Sequence, residues 1–308
     1  RNLQVGVQVM TDLASQLVTL IITVAIAWAT GSVWSLVAGS LFGITLKVIA
    51  QHILLKGPNN RWHIERAAVW DLLGFGKYIF LGSVAGFLII QSDRAILGAY
   101  ISLTDLGIFT VGFTFATIPL DLNRALGRQV IFPLFSKFPT LDNPQNRPKV
   151  LKARRLLTYG IVAVGSALSL LSVPMIDFLY DSRYHDAGVI LALMGFTVTA
   201  QVATSNYDSA YLAAGDSRQH FQLISIEALI QVTLSVLLIS SFGIPGAVFA
   251  LGLSKLMIYP FKVRVARRYN VWDPSTDIAA LSFGWSVSAF SLYLWQDDVT
   301  IFMAAAFG

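Results

Sequence analysis

The side chains able to do chemistry are few, and several sit where they are expensive. Gln91, Asp93 and Arg94 stand together in "LIIQSDRAILGAY", at the end of an apolar run that reaches back to Phe80. A charged side chain at the centre of a bilayer costs about 2.5–3.5 kcal/mol on insertion scales. Neighbours on a helix point about 100° apart, so Asp93 and Arg94 are not an ideal pair for each other. Each needs a partner on another helix or a wet cavity. Two readings stay open. In one, both bond to neighbouring helices and polar backbone. In the other, Arg94 meets a substrate anion while Asp93 holds it or takes a coupling cation. Asn206, Tyr207 and Asp208, in "TSNYDSAYLAAGD", form a second polar cluster. Glu227 and Lys255 lie on the next two apolar segments, and mutual pairing across that hairpin is the structural alternative for them. Asp12, Lys47, Lys77 and Asp121 complete the set; those near a segment end, Lys77 above all, can reach the headgroup layer.

Other chemistries are missing their residues. With no cysteine there is no disulfide, thiolate nucleophile or thiolate metal site. "LLGFGKY" holds Gly-x-Gly-Lys but not the spacing or hydroxyl of a nucleotide-binding P-loop. His52, His63, His185 and His220 are scattered, with no metal-binding pair among them. No Gly-x-Ser-x-Gly elbow occurs. Neither a metal nor a cofactor is expected, and nucleic acid is not an expected partner.

The elements that must position these groups are membrane helices. Of 308 residues 55% are hydrophobic and 13% charged, and the mean hydropathy is +0.66; a soluble domain carries about 25% charged residues. Apolar stretches of bilayer-spanning length, about 20 residues, are predicted at 10–30, 33–55, 73–97, 106–122, 156–178, 187–213, 221–241, 244–263 and 277–294, with a tenth from 299. Continuous apolarity favours helices over barrel strands, which are about 10 residues long and alternate. Numbered in order, the even connections hold sixteen Lys or Arg and the odd ones Arg183 alone. Positive-inside bias therefore puts the even connections in the cytoplasm, where basic clusters would favour anionic headgroups. The odd connections are as short as "GS" and "FG", too short to build an outward-facing enzyme site. The one long connection, 129–152, carries Pro133, Pro139, Pro144 and Pro148 and cannot be one continuous helix. "RWHIERAAVW" (61–70) reads as a short interfacial helix held by two Trp.

Gly39 with Gly43, and Gly82 with Gly86, have the spacing that lets membrane helices approach closely. "GSVWSLVAGSLF" and "GIPGAVFALGLS" each open a helix after a two-residue outer turn, a faint internal echo. The chain begins at Arg1 and ends within the apolar "IFMAAAFG", so a fragment of a longer protein is expected.

The segment from Gln91 to Lys137, with Gln91, Asp93, Gly98, Leu106, Gly107, Phe109, Phe132 and Pro133, resembles the polysaccharide-transporter flippases of the multidrug/oligosaccharidyl-lipid/polysaccharide exporter superfamily. "SVWSLVAGSL", "LLGFGKYIFLGS", "DFLYDSRYHDAG" and "LAAGDSR" are similar to it in the same order. The resemblance implies an all-α integral membrane protein, a polytopic helical bundle of two lobes, here lacking roughly the first four transmembrane helices and the end of the last. Residues 1–60 would be the last two helices of the N-terminal lobe and 61–72 a cytoplasmic interfacial linker. Residues 73–270 would be the six-helix C-terminal lobe and 271–308 a further, truncated helix pair. The implied function is export of a lipid-linked oligosaccharide, such as an undecaprenyl-pyrophosphate O-antigen, capsule or exopolysaccharide unit, across the bacterial inner membrane by alternating access. Gln91, Asp93, Arg94 and Asn206 would contact substrate, and Asp93, Asp208 and Glu227 would be the candidate ion carriers. Partners would be the lipid-linked oligosaccharide and the bilayer, with a polysaccharide polymerase and chain-length proteins as further candidates. The alternatives are a multidrug/cation antiporter of the same superfamily and a membrane glycosyltransferase, polymerase or ligase.

Overall fold

The computed structural model describes residues 5–32, 34–54, 66–141 and 143–307. Among them every regular element is helical. Among the described residues seven helices, or eight with one bent pair, are long and apolar enough to span a bilayer, so this is a multi-pass α-helical membrane protein. The chain divides into two compact units, Arg1–Glu65 and Arg66–Gly308.

The first unit is a hairpin of α1 (Val5–Thr30) and α2 (Trp34–Leu54). Its turn needs Gly31, at φ 60°, a left-handed conformation that favours glycine. Gly39 and Gly43 are points of real close approach, since a methyl group on either would collide with Thr23 or Thr19. With no hydrophobic drive between helices in lipid, such packing is what holds a pair together. At the end away from the turn, Asp12 accepts from Gln51 at 2.9 Å and pairs with Lys47 at 3.1 Å.

The second unit begins with α3 (Arg66–Tyr100) and α4 (Leu103–Leu126). Ser102 caps α4 by accepting from the Asp105 N–H at 3.1 Å and donating to its carboxylate at 2.7 Å, a reciprocal cap that fixes the α3–α4 turn. The short linker helix expected over 61–70 falls partly outside the described residues; from Arg66 onward the chain is already in α3.

After α4 the helix widens into a π-turn, Gly127–Ile131, before α5 (Phe132–Lys137). Pro133 has no N–H to donate backward, which loosens the helix just there. α6 (Arg147–Leu170) starts well before the predicted 156. It is bent by 65° from α7 (Ser172–Leu179), where Pro174 removes the next backbone bond. The straight span expected over 156–178 is therefore two helices.

α8 (His185–Thr204) is the central helix, buried along most of its length, as suits a helix apolar all round. Small residues let its neighbours approach. Gly112 faces the Ala187 carbonyl, Gly188 the Val173 backbone, and Gly252 and Gly284 face Thr197 and Thr199. The span expected over 187–213 is also broken. It stops at Thr204, passes through Asn206 at φ 66°, and resumes as α9 (Asp208–Ala213). Asparagine is among the few residues that visit that region routinely.

α10 (Ser217–Arg268) is two helices that reverse at Gly243, φ 55° and ψ −131°. Its second half runs beyond the expected 263 by more than a turn, which carries Lys262 off a helix end and into the packed interior, 7% exposed. α11 (Pro274–Leu294) and α12 (Gln296–Phe307) follow. α11 packs on α6 and α8, so residues 271–307 belong to the same compact unit as the bundle.

Candidate functional site

One end of the second unit gathers the connections 127–141, 214–216 and 269–273, with basic residues in the first and on the helix ends beside them. Just inside it lies a polar cavity of about 230 Å³ bounded by α3, α4, α8, α9 and α10. Arg124, Lys255, Lys262 and His220 line it, with two acidic side chains, Asp208 and Glu227.

Lys255 and Lys262 are seven residues apart, two turns of helix, so both ammonium groups reach the same face. They converge on Glu227 from the other half of α10. Lys255 Nζ lies 2.6 Å from Oε1 and Lys262 Nζ 3.0 Å from Oε2. Lys255 also donates to Gln231 Oε1 at 3.2 Å, and Gln231 donates to the Ile89 carbonyl of α3 at 2.7 Å. All three charged groups are buried. A desolvated carboxylate between two cations satisfies the demand that buried charge be paired. It also leaves both lysines with protons to spare, since each ammonium carries three donors.

Asn123 of α4 donates to Ser205 at 2.8 Å, and Asn206 donates to Asn123 at 3.0 Å. These bonds pin the broken helix to α4. Gly127 sits against the Asn206 side-chain oxygen, where a Cβ would come within 2.9 Å, so the π-turn and the left-handed residue pack together. Asp208 accepts from Tyr211 and faces the cavity.

The other sequence candidates lie along α3. Gly86 and Ile90 line the cavity, and Arg94 is one further turn on the same face. Its guanidinium stacks over Phe113 of α4 at 5.1 Å, and its buried Nε has no hydrogen-bond partner among the described residues. Gln91 is exposed. Asp93 lies within α3, but its side chain is outside the described residues. The cavity thus brings together Asp208 and Glu227, with Asn206 behind the Asn123 and Ser205 that line it, and leaves Gln91 apart.

A second ion cluster seals the same end from within. Arg154 of α6, fully buried, donates to Asp277 at 2.6 Å and to the Ala203 carbonyl at 2.8 Å. Asp277 also accepts from Tyr207 at 2.5 Å and Tyr259 at 2.6 Å, and Arg154 stacks on Tyr207 at 4.0 Å. The neighbouring Asp273 accepts from Arg155 at 2.7 Å, Ser275 at 2.7 Å and Thr276 at 2.7 Å. Burial alone would push the Asp273 carboxyl up. The hydrogen bonds from Arg155, Thr276 and Ser275, with the guanidinium charge, outweigh that and hold it well below the usual carboxylate range. Burial and the Asp216 carboxylate push the Tyr269 hydroxyl up to about 12. Arg154, Lys262 and Asp277 were not singled out from sequence, because each falls at the edge of an apolar run where a charge looks solvated. The seven-residue spacing of Lys255 and Lys262 was the one readable signal.

Residues 1–189 match the model of a family described as "Polysaccharide biosynthesis protein". The chain is similar to the "Succinoglycan biosynthesis transport protein ExoT" of Rhizobium meliloti (strain 1021), 22% identical over 58% of this chain and 35% of that protein. It is similar to two proteins of Haloferax volcanii. One, named "Probable low-salt glycan biosynthesis flippase Agl15", is 22% identical over 60% of this chain and 39% of its own length. The other, "Probable flippase AglR", is 26% identical over 61% and 40%. The matched stretch spans well under half the length of each of these relatives. No solved structure matches the chain significantly.

Proposed function

The chain belongs to the polysaccharide biosynthesis protein family, and from that premise we propose that it forms part of a flippase for a lipid-linked oligosaccharide. The relatives' names, a transport protein and two flippases, support transport rather than bond chemistry. Carrying a charged, sugar-bearing headgroup through about 30 Å of hydrocarbon unaided is prohibitive. A polar path between helices removes that cost while the lipid tail stays in the bilayer.

The observation that carries the reading is the pair of ammonium groups in the cavity: Lys255 and Lys262 share the one carboxylate of Glu227, and their remaining donors suit an anionic phosphate headgroup better than an organic cation. Glu227 then acts as a stand-in anion, holding both ammonium groups in place until a phosphate oxygen competes for them. Arg94, one turn along the α3 face that lines the cavity, is the next cation on the path, and Asn206 sets the break that opens it. Asp208 and Asp93 are the better candidates for a coupling ion, because Glu227 already has two cations in contact. The membrane proposed is the cytoplasmic membrane of a bacterium, with the basic end inward.

The test is transport of labelled lipid-linked oligosaccharide into vesicles carrying the protein. Lys255→Gln and Lys262→Gln are expected to slow it, with Arg94→Gln intermediate. Undiminished transport by folded variants of all three would overturn the reading.

A further inference from the structure

Not every cation at the basic end is spoken for. Arg154 and Arg155 pair with Asp277 and Asp273, Arg124 with Asp121 and Lys262 with Glu227. Arg264 and Arg268, exposed on the last turns of α10, make no ion pair and no side-chain hydrogen bond among the described residues. Four residues apart, they share one helix face. They line one wall of a cleft of about 600 Å³ between the two halves of α10. The polar side is completed by Gln219 and Gln222, while Phe221, Ile226 and Phe261 make the rest apolar.

We propose that this cleft is a binding site for an anionic phospholipid of the surrounding bilayer. The site is amphipathic in the sense a lipid requires. Two guanidinium groups present the forked donors that match phosphate oxygens. Below them, Phe261 is 48% exposed and Met257, one turn deeper, 47%, so the apolar wall continues onto the lipid-facing surface. A soluble anion would use the arginines and leave that wall unfilled. An acyl chain uses both. The depth is right as well: Arg267, in the same turn, stacks on Trp272 at 4.0 Å, and Trp with Arg is the pair that marks a membrane interface. Basic pockets between helices at the cytoplasmic face select anionic headgroups for the same reason. The inference rests on the membrane fold and not on the transported substrate. The cleft is distinct from the Glu227 cavity, although Leu223 borders both.

The experiment is native mass spectrometry of the protein released from nanodiscs of phosphatidylglycerol and phosphatidylcholine. The unaltered protein is expected to retain phosphatidylglycerol preferentially. Arg264→Gln with Arg268→Gln is expected to weaken retention roughly 30-fold, the share of two basic side chains at an anionic surface. Arg218→Gln, an exposed cation at the same end outside the cleft, should retain it. Both sites of substitution are at the surface, so the fold is expected to survive, and an unchanged melting temperature verifies that. Equal retention of both lipids, or no loss in the double variant, would overturn the proposal. So would displacement of the retained lipid by inorganic pyrophosphate, which would mark a soluble-anion site, or by lipid-linked oligosaccharide alone, which would mark a substrate site.

Discussion

Two ion clusters lie within the basic end of the same bundle, and they are built to different ends. Arg154 and Asp277 are sealed, at 0% and 1% exposure. Every hydrogen-bond partner of the Asp277 carboxylate is a side chain of the bundle, and neither residue lines the polar cavity. Lys255, Glu227 and Lys262 are nearly as buried but line a polar cavity. Both satisfy the rule that buried charge be paired. The difference is what lies on the far side of the charges: packed protein in one case, room for a ligand in the other. On the proposed reading, buried charge in a membrane helix serves transport only where a cavity adjoins it.

The largest expected effect falls on the sealed cluster. Arg154→Met leaves Asp277 buried without its cation and should cost about 3–5 kcal/mol of stability, read as a large drop in melting temperature. Arg154→Met combined with Asp277→Leu should recover most of it. If the double variant stays as unstable as the single one, the pair is not a closed structural unit.

The cavity cluster should respond the other way round. Lys255→Met leaves Glu227 one ammonium, so folding should survive. A phosphate that loses one charge-assisted contact loses about 1.5–3 kcal/mol, and apparent affinity for lipid-linked substrate should fall at least about tenfold. A stability loss as large as that of Arg154→Met, with substrate affinity intact, would erase the distinction between the clusters.

Smaller effects sharpen it. Asn206→Ala keeps a Cβ at positive φ without asparagine's compensating local hydrogen bonding, at a cost of up to about 1–2 kcal/mol, and removes the bond to Asn123. Asn206→Gly keeps the conformation and loses only the bond, so it should melt higher than the alanine variant. Asp273 supplies a pH signature. Its folded value is depressed, so its stabilisation is complete above the unfolded value near 3.9 and is lost as pH falls below that. Melting temperature should drop with acid below about pH 4, and Asp273→Asn should flatten that part of the profile.

Much of the fold was readable from continuous apolarity. Each of the nine expected spans corresponds to a helix or to a pair of helices, and the turn glycines Gly31 and Gly243 both adopt positive φ. What escaped were the breaks. A single Asn206 or Pro174 interrupts a helix without interrupting its hydropathy, so 187–213 and 156–178 read as unbroken. The predicted helix ends fall short because α6 and α10 continue as helix through charged residues, so Lys262 reads from sequence as a helix-end residue. The pairing of Glu227 with Lys255 across the hairpin, expected from sequence as the structural alternative, is seen where the halves of α10 meet. Arg154 with Asp277, 123 residues apart, leaves no mark in local sequence.

The most direct measurement uses the absence of native cysteine. Ser205→Cys places a thiol on the polar cavity, and Ser169→Cys places one in the packed contact of α6 with α8 and α11. In sealed vesicles a water-soluble thiol reagent is expected to label Ser205→Cys, and lipid-linked oligosaccharide to slow that labelling, while Ser169→Cys stays unlabelled. Equal protection of both thiols, with or without substrate, would show the cavity to be dry and would contradict the account.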